Sequence, residues 1–345
     1  MPKRTPLNER LKRHYLQFLK EVKRRDTASI DAAAKAIERY DAFMKYRDFR
    51  KFNTDAIIAF KEDLAELRNV RTGELISAAT IHSTLAAIKA FFIWLADQPE
   101  IKRKITYSLA NWFNSTENLS RVATARRFRP GPSLDQIRQV LAAMPTGTIV
   151  QRRDRALMAA AIVTGARDMA LTTFKLKHVD LDARLIEQDA RTVRTKRAKT
   201  FTTWFFPVGD DIEAILIEWV KTLRTSGCGP NDPLFPKSKA VMGKDLQIQK
   251  IELTKDHWSN ANPVRMIFKT AFAAAGLPYF NPHSFRKTLV QYAYDLDLSA
   301  EQMKAWSQNL GHDDVMTTFC SYGTLPPARQ GQLICGIVRK DRSAP

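Results

Sequence analysis

The sequence predicts a mainly α chain of two domains: an N-terminal all-α helical bundle, then an α+β domain with a small β-sheet. Three observations predict it. From the N-terminus to about residue 115, apolar residues recur at helical spacing with no strand-like alternation. A turn-rich stretch of arginines then closes on Pro130-Gly131-Pro132, which cannot continue a helix. Beyond it, helical patterns return, interrupted by short runs of β-branched and aromatic residues. A length of 345 residues also exceeds what one compact core usually spans.

In order, residues 1–25 carry Leu11, Tyr15, Phe18, Leu19 and Val22 at helical spacing among many cations, which predicts an amphipathic helix with a basic outer face. Helices are expected at about 28–46, 54–68 and 78–97, the last with Ile81, Leu85, Ile88, Phe91, Phe92, Trp94 and Leu95 as its apolar stripe. The aromatics read as core. We place a helical domain at 1–120 and a basic linker at 121–132, with Arg121, Arg126, Arg127 and Arg129. A catalytic domain follows at 133–325, and a tail at 326–345. Ser133 reads as an N-cap, and Arg153 to Thr164 as a helix. Val179–Asp182, Leu185-Ile186 and Thr202–Val208 read as short strands, and further helices are expected near 210–226, 263–275, 284–296 and 300–309. Residues 227–262, with Cys228-Gly229-Pro230, Pro233 and Pro236, read as an irregular insertion.

Composition narrows the function. Hydrophobic residues are 44% of the chain, enough for real cores. No run of about 18 apolar residues suggests a membrane span, and the charged start Met1-Pro2-Lys3-Arg4 lacks a secretory apolar stretch. Cys228, Cys320 and Cys335 are odd in number and widely spaced, which argues against disulfides or a zinc site and suits a reducing cytoplasm. Lys plus Arg number 55 against 36 Asp plus Glu, a net charge of +19, which points to a polyanionic partner such as nucleic acid.

Five short segments draw the eye together. Alone, Thr164-Gly165-Ala166-Arg167 is a helix ending with a surface arginine, and His283-Ser284-Phe285-Arg286 puts two cationic groups on one helix face. Gly311-His312 is a turn, ten positions before Tyr322, itself flanked by Ser321 and Gly323. In series they resemble the signature of the tyrosine recombinase (phage integrase) family. Thr164–Arg167 is similar to its TGxR box, and Lys177–Asp182 to the strand entry after it. Pro282–Thr288 is similar to its HxLRHT box, and Leu310–Phe319 to its LGHxxxxTT box. The resemblance is specific over about 150–325 and architectural over 1–120. Two departures stand out: Ala170 occupies the place of a common acidic residue, for which Asp168 is a possible substitute, and the His312-to-Tyr322 spacing is one residue longer than usual.

The resemblance implies a catalytic set of Arg167, Lys199, His283, Arg286, His312 and Tyr322. The family lysine lies in a turn before a strand ending in proline; Lys199, eight residues before Pro207, suits it, with Lys196 as the alternative. Arginine forks match the non-bridging oxygens of a phosphodiester, which lysine cannot imitate. Tyr322 would be the nucleophile, His283 the proton acceptor and Lys199 the general acid. The rival tyrosines Tyr292 and Tyr294 fall in an amphipathic helix and read as core. Ester energy stays in a 3′-phosphotyrosyl bond, so neither a cofactor nor a metal is expected. A two-domain DNA clamp is expected, with Lys12, Arg13, Arg126, Arg127, Arg129, Arg194, Lys196 and Arg197 as candidate DNA contacts. Expected partners are double-stranded DNA, further copies forming a tetramer on two sites with exchanged C-terminal tails, and accessory DNA-bending proteins or partner recombinases. The expected location is the cytoplasm, on the bacterial nucleoid. Two rivals are a type IB topoisomerase-like activity and a DNA-binding protein that kept the fold without the chemistry.

Overall fold

A computed structural model describes residues 4–316 apart from 71, 103, 126–129 and 243–247, together with 318, 331, 334 and 335. The chain divides into two compact units, Met1–Arg126 and Arg127–Pro345.

The first unit is helical: α1 Pro6–Glu21, α2 Thr27–Phe43, α3 Thr54–Glu66, α4 Ala78–Ala96, and the short α5 Tyr107–Ala110 and α6 Glu117–Thr124. Starts are set by local chemistry, with Asp26, Asn53 and Ser77 each accepting a hydrogen bond from a first-turn N–H. α4 is apolar enough along its length to pass for a membrane-crossing helix, yet Leu85, Ile88, Phe91, Phe92 and Leu95 lie in the bundle core. Tyr40 packs edge-on against Phe60, Phe92 and Phe113 at 5.0 to 5.4 Å. The segment read as turn-rich from residue 116 is helical as far as Thr124. Thr116 caps it through Leu119 N–H, and a Glu117–Arg121 pair one turn apart supports it.

Arg10, Arg13 and Lys20 keep the expected basic face of α1, and Lys12 departs from it. Asn8, Leu11, Lys12 and Tyr15 follow the i, i+3, i+4, i+7 pattern and form the buried stripe of α1. Lys12 Nζ is therefore turned inwards, 2.7 Å from Asp41 Oδ2, 2.7 Å from Glu9 Oε1 and 3.0 Å from Glu38 Oε2. Three carboxylates consume its charge, so it is not offered to DNA. Arg13, one residue on, is exposed.

In the second unit, α7 Leu134–Ala143 opens with a capping box on Ser133, and α8 Ile149–Thr164 runs through the core, buried from Ala156 to Thr164. After the short α9 Asp168–Leu171, the strands β1 Val179–Asp180, β2 Leu185–Gln188 and β3 Phe201–Trp204 form one antiparallel sheet in that order, with Ile186 opposite Thr203. α10 Asp210–Thr225 follows. The insertion expected to be irregular carries an antiparallel hairpin, β4 Ser238–Met242 with β5 Ile248–Leu253. Its prolines end at Pro236, and β-forming residues take over from 238. α11 Asn262–Ala274, α12 Pro282–Asp295 and α13 Ala300–Asn309 complete the unit. Phe174, Phe206, Phe268, Phe272, Phe285 and Leu289 are fully buried among them.

Candidate active site

Four chain segments converge on one cleft, and each is fixed by its own backbone. α8 ends at Gly165, whose φ of +58° is the left-handed conformation that closes helices. A Cβ at Gly165 would meet Leu310 at 2.8 Å, so the small residue also lets α8 approach the end of α13. The turn delivers Arg167 to the start of α9. α12 starts at Asn281, which caps Ser284 N–H, and brings Arg286 inwards on its buried face while His283 stays exposed.

Gly311 ends α13 with φ +68°, and a Cβ there would stand 2.5 Å from the Phe201 ring. This is how the turn bearing His312 reaches the sheet. Asn309 then completes the free edge of β3: its Oδ1 accepts from Trp204 N at 2.8 Å and its Nδ2 donates to Trp204 O at 2.9 Å. Lys199, two residues before β3, is thereby held beside His312.

Arg286 ties these pieces together. Its guanidinium donates to Gly165 O, to Leu310 O at 2.7 Å and to His312 Nε2 at 2.9 Å. It is 5% exposed. Burial first, then Arg167, lowers its pKa, yet the group stays charged at neutral pH. Arg167 is half-buried and makes no side-chain hydrogen bond among the described residues; burial lowers its pKa, and Asp313 opposes that. His312 is pushed down to about 4 by burial, then by Arg286, Arg167, His283 and Lys199. His283, although exposed on its outer side, is also lowered, first by the water it loses on the side packed against the domain and then by Arg286, Arg167 and Lys287. Both imidazoles are neutral at pH 7, so each has a nitrogen able to accept a proton.

The cleft holds about 290 Å³, and Arg167, Lys196, Lys199, His312 and Asp313 are among its lining residues. Lys199 Nζ donates to Asp313 Oδ1, and Arg197 Nη1 lies 3.7 Å from Asp313 Oδ2. Lys196 and Arg197 thus lie at the site. Arg194 is exposed and donates from Nη1 to Ser259 O at 2.8 Å. Tyr322, Arg126, Arg127, Arg129 and most of the tail lie outside the described residues. Asp168 accepts from Arg265 at 2.7 and 2.9 Å. Tyr292 is packed at the core edge and donates to Pro207 O. Among the described residues, no cluster of three or more His, Cys, Asp or Glu stands ready for a metal.

Sequence reasoning missed Asp313, Asn309 and the partner of His312, Thr318, whose hydroxyl lies 2.9 Å from Nδ1. The signal for Asp313 was two adjacent acids inside a cationic motif. Thr318 lies within the Leu310–Phe319 motif, whose spelling does not show what its hydroxyl meets.

The model of the phage integrase family matches residues 133–326, more than half of the chain. The chain belongs to the phage integrase family. Among curated relatives, this integrase-family chain is 22% identical over 306 residues to tyrosine recombinase XerC of Lactobacillus delbrueckii subsp. bulgaricus, covering 81% of this chain and 91% of that one. It is 25% identical over 246 residues to XerC of Xylella fastidiosa, covering 70% and 69%. The integrase fold itself is seen in a lambda integrase dimer bound to a COC′ core site (TM-score 0.59, 14% identity, 92% and 97% covered). The Tn1549 transposon integrase in complex with transposon right end DNA shares it (TM-score 0.58, 14% identity, 95% and 99% covered). So does a lambda integrase tetramer bound to a Holliday junction (TM-score 0.55, 14% identity, 94% and 84% covered).

Proposed function

We propose that this chain is a site-specific DNA recombinase that breaks and rejoins DNA through a 3′-phosphotyrosyl bond on Tyr322. The observation that carries the reading is the convergence of Arg167, His312 and Lys199 on one cleft of an integrase-family domain, with Arg286 buried behind it and bonded to His312. Cationic donors fixed before substrate arrives are worth most where negative charge grows in the transition state. Arg167 and the exposed side of the Arg286–His312 pair would hold the non-bridging oxygens. The Tyr322 oxygen attacks phosphorus and its proton passes to His283, neutral at pH 7. Lys199 gives a proton to the departing 5′-oxygen. A 5′-hydroxyl from another strand then attacks the phosphotyrosine and frees the tyrosine.

We further assign phosphate contacts to Arg13, Lys196 and Arg197, all exposed, and to Arg126, Arg127 and Arg129. The working species is taken as a tetramer on two DNA sites, through a Holliday junction, with the tail of one copy seated on the next. An apolar groove of about 780 Å³ between β3 and α13, lined by Trp204, Phe205, Leu298 and Trp306 among others, suits the tail's Leu333, Ile334, Ile337 and Val338. Accessory DNA-bending proteins, partner recombinases and a nucleoid location belong to the same reading.

The test uses duplexes selected from a random library by binding to the protein, then nicked so that cleavage traps the enzyme. Wild type should give a covalent protein–DNA band on a denaturing gel, and Tyr322→Phe none. A bound, nicked duplex that traps no wild-type protein would overturn the reading.

A further inference from the structure

We propose that Thr318 is a positioning residue for His312, and that the buried Thr318–Ser307 pair fixes which imidazole nitrogen faces the phosphate. The role rests on reading the cleft as a phosphoryl-transfer site.

Arg286 Nη2 stands 2.9 Å from His312 Nε2, and His312 Nδ1 stands 2.9 Å from Thr318 Oγ1. The Thr318 hydroxyl donates to Ser307 Oγ at 2.8 Å. A guanidinium can only donate, so Nε2 accepts from Arg286. A neutral ring then carries its proton on Nδ1. Thr318, its own proton directed at Ser307, has lone pairs left to accept that N–H. Thr318 is 0% and Ser307 1% exposed, so bulk water does not compete for either bond.

The arrangement separates the two nitrogens by task. Nδ1 carries a proton in the neutral and the charged ring alike, so its bond to Thr318 is kept when the ring is protonated. Nε2 is the nitrogen that changes. It accepts from Arg286 and, once the charge of a bound phosphate draws a proton onto it from solvent, donates to that phosphate while the Arg286 N–H turns away from it. Thr318 holds the ring still while the far nitrogen changes role. It also fastens to α13 a point in the chain four residues before Tyr322.

Single-turnover cleavage of the selected, nicked duplex tests this. Thr318→Val, which keeps the shape and removes the acceptor, should slow covalent-band formation by about tenfold to a hundredfold. That is below the ~10²–10³ expected for losing one transition-state donor outright. Thr318→Ser should restore the rate to within about threefold. The deciding readout is the pair with His312→Ala, because a residue acting only through His312 has nothing to lose once the imidazole is gone. Thr318→Val should therefore not slow His312→Ala further. A wild-type rate in Thr318→Val, or an equal loss in both backgrounds, overturns the proposal. If the valine variant no longer melts cooperatively, Ser307→Ala replaces it: the same dependence on His312 is expected, and an independent loss overturns the assignment. A covalent band that persists in Tyr322→Phe would instead sink the reading of the nucleophile.

Discussion

Lys199 Nζ lies 2.8 Å from Asp313 Oδ1, so the lysine assigned to protonate the leaving oxygen is held by a carboxylate one residue beyond His312. Lys199, followed by Arg197 and Arg167, holds that carboxyl below its usual range. A phosphate entering the cleft must compete with Asp313 for the same cations. Asp313→Asn should tighten duplex binding by about threefold at ~0.1 M salt, with the gain shrinking as salt rises. Fluorescence anisotropy across a salt series measures it; weaker binding by the asparagine variant would refute the competition.

Arg286 spends three of its N–H groups on Gly165 O, Leu310 O and His312 Nε2 at once. A lysine cannot span three acceptors in a plane. Arg286→Lys should lose cleavage by about 10²–10³ and also melt lower than wild type, since buried carbonyls lose their donor. Calorimetry beside the trapping assay decides: a lysine variant with unchanged melting would mean the two carbonyls find other partners.

Gly311→Ala would put a non-glycine residue at φ +68° and its Cβ into the Phe201 ring. We expect a loss of about 2–4 kcal/mol in urea unfolding, from left-handed strain together with overpacking. Adding Phe201→Ala should return the steric share and leave the strain. If the double variant is no better than the sum of its parts, the ring is not what the glycine accommodates.

His178 and His312 both sit near 4, each pushed down first by burial. The unfolded chain therefore binds more protons than the folded one between about pH 4 and the ordinary histidine value of ~6.5. Stability rises with pH across that window and falls on acidification. His178 is 3% exposed, accepts from Lys175 N on Nδ1 and meets Thr192 through Nε2. From pH 7 to pH 5 it alone should cost about 2 kcal/mol. His178→Gln should flatten the urea midpoint against pH; an unchanged slope would place the acid sensitivity elsewhere.

Lys12 and Arg13 are neighbours in sequence with opposite expected phenotypes. Lys12→Ala leaves Asp41 buried beside Asn8 without its cation and should destabilise the first unit by about 3–5 kcal/mol. Its DNA-binding salt slope should not change. Arg13→Ala should leave stability alone and reduce that slope by about 0.9. The reverse pattern would exchange their roles.

The contrast shows what a sequence can carry. The helix start at Ser133 is legible, because an N-cap is a local bond with a local spelling. The cluster of Arg167, Arg286 and His312 was legible only as an ordered series of motifs, since each alone is an ordinary surface pattern. Lys12 reads as an outward cation because a lysine seldom turns inwards without a partner, and only the position of Asp41 on α2 decides that it does. The hairpin of β4 and β5 was hidden by the prolines before it. Asn309 on the edge of β3 has no local signature at all, because its partner lies about a hundred residues upstream.

The two arginines differ in what their retention would reveal. Arg286 is mortar between the ends of α8 and α13, so a descendant that had abandoned DNA chemistry would still need it to fold. Arg167 makes no side-chain hydrogen bond among the described residues, so it ties no two elements of them together as Arg286 does. On the function proposed above, an intact Arg286 in a degenerate copy of such a gene can reflect the scaffold as well as the chemistry, whereas an intact Arg167 speaks for the chemistry.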